Sequence, residues 1–321
     1  MTDLDWSGIK RPDVGNEWRV RLVPIINCDA EINIGLDQDG RMLLIIDLDG
    51  DYRKQLSSTW RDLKGIDLDL RDNPDRAGHQ HLVIALCNAT DGDIFKLMAE
   101  SLCRCLEGAK PALTAFTLCI KHLQRWRAFL MAKNPARLSA EEVRGLFGEL
   151  TLLAELIDRS GEPERMLEGW TGSDKSAQDF TFPSVAVEVK TRHGLERGRV
   201  SSSSQDQLET CMATLILMVF ALTEVSSEGT SLNGLVDEIR DRLASVDAVE
   251  RFEEKLLAAR YLPLKHYDLP LIKVTGQRAY KVDEGFPRII RSRLTNGVSH
   301  VRYHIDLSAI EPFSCDHQLE A

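Results

Sequence analysis

The segment Asp179-Phe-Thr-Phe-Pro-Ser-Val-Ala-Val-Glu-Val-Lys-Thr191 constrains this chain more than any other stretch. Its second half alternates as a strand does, with Val185, Val187 and Val189 on one face and Ala186, Glu188 and Lys190 on the other. The valine face belongs to a core. The opposite face offers a carboxylate and an ammonium two residues apart, ~7 Å along a strand that rises ~3.3 Å per residue. The first half alternates too, Phe180 and Phe182 opposing Asp179 and Thr181. If Pro183-Ser184 turns the chain, the two strands form a hairpin that brings Asp179 near Glu188.

The flanks extend this into a mixed fold. Ser139 followed by Glu142 makes an S-x-x-E capping box, and Val143, Leu146, Phe147, Leu150, Leu153, Leu156 and Ile157 share one stripe. That spacing predicts a helix over 138–157 with Glu149 beside its buried face. The longest apolar run, Ala213 to Leu222, is about half of the ~20 residues a membrane helix requires, so it reads as a buried strand or helix. Between Arg19 and Cys87 the runs RLVPII, INIGL, MLLIID and HLVIALC are separated by turn signals such as Asp37-Gln38-Asp39-Gly40. Helical periodicity follows at 93–106 and 113–131, and a charged amphipathic stretch runs from Leu235 to Tyr261. Phe286–Ile290 and the alternating Gly297–Leu307 read as closing strands. The expected class is α+β, with a β-rich domain at 1–110, a helical lead-in and central core at 111–225, and a helical and β region at 226–321.

Charge limits what such a chain can bind. Its 321 residues include 50 acidic and 40 basic side chains, a net charge of −10, which excludes a protein that grips nucleic acid over its whole surface. A polyanion must be held by a local patch. Basic residues cluster at Lys190, Arg192, His193, Arg197 and Arg199, between Lys121 and Arg144, and at Arg288, Arg291, Arg293 and Arg302. The acids gather at Asp29, Glu31, Asp37, Asp39, Asp47, Asp49 and Asp51, where they match no calcium loop and read as solvated edges and turns. His79 and His81 lack a third ligand nearby. The seven cysteines form no CxxC pair and read as reduced, buried thiols. A polar N-terminus without an apolar leader adds to the expectation of a cytoplasmic protein. No Walker A or GxGxxG motif is present, so nucleotide-driven work would belong to a partner.

Two carboxylates beside a lysine suit phosphodiester hydrolysis. The acids hold Mg2+, which takes up charge developing on the phosphate, and the lysine orients or acidifies the attacking water. The bare pattern [DE]-x-K is common, and the chain has three: Asp62-Leu63-Lys64, Glu188-Val189-Lys190 and Glu253-Glu254-Lys255. Only the second sits on a valine-alternating strand with an upstream Asp at hairpin distance. Taken alone, Glu188 and Lys190 read equally as an ion pair on a solvent-facing edge, worth ~0.2–1 kcal/mol.

The order GLFGELTLL, W-x-G, DFTFPSVAVEVKT and VSSSSQDQL resembles the PD-(D/E)xK nuclease superfamily. More narrowly it is similar to a prokaryotic group of PD-(D/E)xK proteins encoded near ATPases and methyltransferases in anti-phage defence loci. The motifs span Gly145 to Leu208. The resemblance implies a restriction-endonuclease-like αβββαβ core at about 138–225. It implies Asp179 and Glu188 as ligands of Mg2+ or Mn2+, Lys190 as the catalytic lysine, Glu149 as a helix-borne acid assisting the metal, and Gln207 as a positioning glutamine on the following helix. The literal Pro-Asp pair is absent, because Asp179 follows Gln178, and Asp174 in a polar loop is the competing acid. Arg192, Arg197, Arg199 and Ser202 are expected to meet DNA phosphates. The implied activity is a Mg2+-dependent DNA endonuclease, or a nuclease subunit of a restriction or defence system. The implied partners are DNA, an ATPase and a methyltransferase of the same locus, and a second copy as homodimer, with no membrane. Two readings of other classes stay open: a catalytically inactive member that binds nucleic acid or a partner, and an interaction module docking through the acidic β region.

Overall fold

The computed structural model describes residues 4–14, 17–56, 65–87, 92–131, 138–172, 176–193, 198–202, 204, 206–210, 212–295, 297–298 and 301–316. In chain order its elements are β1 (Trp18–Val23), β2 (Glu31–Asp37), β3 (Met42–Asp49), β4 (Ile66–Asp72), β5 (His79–Leu86), α1 (Gly92–Cys105), α2 (Ala112–Met131), α3 (Ala140–Ser160) and α4 (Pro163–Gly169). There follow β6 (Phe180–Thr181), β7 (Val185–His193), β8 (Arg199–Ser202), β9 (Thr214–Val225), α5 (Leu232–Arg242), α6 (Val246–Ala258), β10 (Leu271–Lys281), β11 (Tyr303–Asp306) and β12 (Ser314–Cys315). The class is α+β, as the sequence patterns lead one to expect. Two compact units form, one from Met1–Pro135 with Ser245–Leu257, the other from Ala136–Ala244 with Ala258–Ala321.

The first unit is built on an antiparallel sheet of order β1-β2-β3-β5-β4. Ile34, Leu44, Ile46 and Ile84 alternate onto one face and are fully buried. On the other face Leu43, Ile45, Val83 and Ala85 lie beneath Trp18. Several acids of this region are engaged in ion pairs. Asp37 binds Arg41, and Asp47, far from being a solvated edge, is buried and accepts from Asn73, Arg76 and His79. The charged stretch 235–261 is two helices, because Ser231 and Ser245 each cap one: Ser231 Oγ accepts the Gly234 N–H and Ser245 Oγ the Ala248 N–H.

In the second unit a five-stranded sheet runs β12-β10-β9-β7-β6, with β7 parallel to β9 and the other pairs antiparallel. The apolar run is the strand β9, buried from Leu215 to Leu222 on both faces, which explains its unbroken hydrophobicity. The hairpin forms as expected: Phe180 pairs with Val187, Thr181 with Ala186, and the Phe182 N–H bonds Val185 O at 2.8 Å. Helix α3 begins at the Ser139/Glu142 capping box and ends on Gly161, whose left-handed φ of 66° suits a residue without a Cβ. Its Gly148 lets the helix lie close on β7, since a Cβ there would stand 2.3 Å from Thr191 Cγ2. Beside the sheet, β8 pairs with β11 in a two-stranded ribbon that sets His304 opposite Ser201.

Three local expectations change. The connection from β8 to β9 contains a turn around Asp206–Leu208 where a helix was expected, its carbonyls at Asp206, Gln207 and Glu209 bonding the Gln178 carboxamide. Phe286–Ile290 is irregular, and β10 supplies the strand at the β9 edge. Among the described residues of 297–307 only Tyr303–Asp306 is strand. Among the described residues no helix is long and apolar enough to cross a membrane. Cys103, Cys105 and Cys119 are buried and in no disulfide, whereas Cys87 is exposed.

Candidate active site

One face of α3, the hairpin strand β7 and the ribbon of β8 and β11 enclose a cleft of about 640 Å³. Its walls include Glu141, Arg144, Gly145 and Glu149 from the helix, which stand at i, i+3, i+4 and i+8 and so share a face. Asp179, Glu188, Lys190 and Gln207 join them, and Arg199, Ser201 and His304 complete the rim. All five residues placed in the catalytic set by sequence therefore meet in one cavity.

Each acid is fixed by a different neighbour. The Trp170 indole N–H donates to Glu149 Oε2 at 2.8 Å, and the Val189 N–H donates to Asp179 Oδ2 at 2.7 Å. Gly172 faces both: a Cβ there would lie 2.9 Å from Glu149 Oε2 and 3.0 Å from Asp179 Oδ1, so any larger residue would push into the two carboxylates. Lys190 Nζ donates to Glu188 Oε1 at 2.5 Å and to Gln207 Oε1 at 3.2 Å. An ammonium has three protons, and these acceptors take two. Glu188 is 1% exposed, so the edge ion pair that the sequence allowed is instead an interior one. Its other oxygen, Oε2, is buried and has no hydrogen-bond partner. Leaving such an acceptor unpaired costs ~1–3 kcal/mol, more for a charged group.

Burial raises all three carboxyls. Glu149 is pushed up to about 8 by burial and by the charge of Asp179, against the Trp170 bond and Lys190. Glu188 is held well above the usual carboxylate range by burial and by Asp179. Asp179 is raised by burial, against Lys190 and the Val189 N–H. Burial alone would lower Lys190, but Glu188 and Asp179 outweigh it and hold the ammonium charged. Three carboxyls around one ammonium cannot all ionise without uncompensated negative charge, which a hard divalent cation with oxygen ligands would neutralise. Among the described residues no group of three or more His, Cys, Asp or Glu is arranged as a finished cation cage. One oxygen of each acid is already engaged as described. The donor set and the orphaned Glu188 Oε2 nevertheless fit a hard divalent cation such as Mg2+ or Mn2+.

The remaining sequence candidates divide. Arg199 lines the rim and pairs with Asp306 at 2.7 Å in the open. Arg192 is half-buried on β7 outside the cleft lining. Ser202 is 1% exposed, its hydroxyl on Ser204 O and Gln207 Oε1, and the serine that faces the cleft is Ser201. Arg197 and Asp174 lie outside the described residues. Of the C-terminal basic cluster, Arg288 and Arg291 bind the Gln207 turn: Arg288 reaches Leu208 O and Arg291 the Asp206 carboxylate. Sequence reasoning did not assign roles to Trp170, Gly172 or Gln178. The W-x-G motif marked two of them, but nothing local says which acid the indole meets.

Comparison with known proteins agrees with the geometry. A family model described as "Putative PD-(D/E)XK family member, (DUF4420)" matches residues 2–308. No curated protein and no solved structure matches the chain.

Proposed function

The chain belongs to that PD-(D/E)XK-type family, DUF4420, and on this premise we propose that it is a Mg2+- or Mn2+-dependent DNA endonuclease, or the nuclease subunit of a prokaryotic defence system. The observation that carries the reading is the partnerless, buried Glu188 Oε2 beside Asp179, Glu149 and a charged Lys190 at the floor of an open cleft. Asp179 and Glu188 would hold the cation, with Glu149 supporting them. When bound, it supplies Lewis-acid stabilisation of charge developing on the phosphate.

The chain's own groups do the rest. Lys190 keeps its proton, because two acids and the Gln207 carbonyl favour the ammonium, and it turns that charge toward a phosphate oxygen or an attacking water. Trp170 keeps Glu149 from swinging away. Arg144, Arg199, Ser201 and His304 offer donors at the rim to the flanking phosphates. In this reading the protein works in the cytoplasm, with an ATPase and a methyltransferase of the same locus as partners and with a second copy where both strands are cut.

Purified protein is expected to nick supercoiled plasmid with Mg2+ or Mn2+ and not with EDTA. Lys190→Ala should lower the rate by ~10²-fold or more while the thermal transition persists. A wild-type protein inert on every nucleic acid tried, with its operon partners added, would falsify the reading.

One observation favours a second reading, a non-catalytic subunit that binds nucleic acid or a partner through the same fold: Glu188 is closed on Lys190. That reading expects no thermal stabilisation by Mn2+ and no effect of Glu188→Gln on biological activity.

A further inference from the structure

Gln178 stands immediately before Asp179 and is 7% exposed. Its side chain turns away from the cleft lining and toward one backbone turn. Its Nε2 donates to Asp206 O at 3.1 Å, Gln207 O at 3.3 Å and Glu209 O at 2.8 Å. A carboxamide nitrogen has two protons, so one of them is shared between two carbonyls. Three acceptors around one nitrogen demand a donor: Glu would set a carboxylate against three carbonyl oxygens, and an apolar residue would offer them no donor.

The same turn is held from its other side. Arg288 Nη1 donates to Leu208 O at 2.6 Å, Arg291 pairs with the Asp206 carboxylate at 3.0 Å, and the Arg291 N–H donates to Glu209 Oε2 at 3.0 Å. Within the turn the Glu209 N–H bonds Asp206 O at 3.2 Å. What the clamped turn presents inward is Gln207 Oε1, which accepts from Lys190 Nζ at 3.2 Å and from Ser202 Oγ at 3.3 Å.

We propose that Gln178 is a positioning residue for Lys190, acting through the Asp206–Glu209 turn and the Gln207 carbonyl. Neighbouring residues thereby divide two tasks: Asp179 faces the cleft, and Gln178 fixes the second acceptor of the lysine. The inference rests on the nuclease reading only in taking Lys190 as a group that does chemistry.

Gln178→Met keeps the volume and removes both donors. It should lower kcat for Mg2+-dependent plasmid nicking about tenfold with KM for DNA unchanged, and the same substitution in a Gln207→Ala background should change kcat less than about twofold, since the two residues act in series. A kcat equal to wild type, or an equal loss in both backgrounds, overturns the proposal. Should Gln178→Met not fold, Gln178→Asn, one methylene short of the three carbonyls, is read the same way. An arm without turnover separates this from the nuclease reading: in NMR, the Lys190 Nζ resonance should move in Gln178→Met toward its position in Gln207→Ala. An unmoved resonance overturns the positioning role. A moved resonance in a protein that cuts no DNA keeps it and removes the nuclease.

Discussion

Glu149 is carried from 4.5 to about 8 first by burial and then by Asp179, against Trp170 and Lys190, all of them distant from it in the chain. A carboxyl whose folded pKa lies above its unfolded value holds a proton longer in the folded state, so stability is full below the unfolded value and declines as pH rises toward the folded one. Asp179 and Glu188 are shifted the same way. The metal-free protein is therefore expected to lose stability between pH 4.5 and about 8, the interval bounded by the two Glu149 values. Urea unfolding in EDTA at both ends of this range measures the slope, and Glu149→Gln should flatten part of it. Stability that climbs over the same interval would mean that these acids are ionised and paired. At this scale the nearness of Asp179, Glu188 and Lys190 was legible in the hairpin and the strand alternation, whereas Glu149 and Gln207, which line the same cleft, came from the resemblance. The Trp170 bond to Glu149 was not, because no spacing rule tells an indole which acid it will find. Nor could a run of four serines declare its strand phase, which is why Ser201 rather than Ser202 faces the cleft.

Between helix α3 and strand β7 the site depends on how closely two elements approach. Gly148 and Gly145 lie one turn apart on α3 and should behave oppositely. A Cβ at Gly148 would stand 2.3 Å from Thr191 Cγ2, whereas one at Gly145 meets nothing within 4 Å. Gly148→Ala is expected to cost ~1–3 kcal/mol by overpacking and to impair nicking by lifting Glu149 from β7. Gly145→Ala should be neutral or gain up to ~1 kcal/mol of helix propensity. Paired thermal melts decide, and equal transitions for the two variants would mean that α3 does not sit so tightly on the strand. Helix α3 was readable because its capping box and stripe are local signals. The cover over the Glu188 face of β7 was not, since alternation reports two faces without saying what lies against the polar one. Strand β10 was hidden for a related reason: Lys273, Thr275, Gln277 and Arg278 interrupt its apolar pattern.

For the molecule as a whole, a charge of −10 and a polyanionic substrate are compatible only if binding is local. The candidate cations are Arg144, on the cleft wall, and Arg199, whose exposed pair with Asp306 can exchange for a phosphate. DNA affinity, measured by fluorescence anisotropy across a salt series in Ca2+, should fall linearly in log–log form, with a slope of about −0.9 for each phosphate neutralised. Arg144→Ala and Arg199→Ala should each make that slope shallower by about one. Slopes unchanged in both variants would place the DNA elsewhere on the surface. The α+β class rests on long patterns that survive local misreading, while the Gln207 turn depends on Gln178 and, far along the chain from it, on Arg288 and Arg291. The metal is the centre of the matter, and a crystal soaked in Mn2+ and read by anomalous scattering addresses it most directly. The expected map has a peak bonded to Asp179 and to Glu188 Oε2, with Glu149 beside it. Manganese bound only elsewhere, with Glu188 still closed on Lys190, would contradict a metal-dependent nuclease.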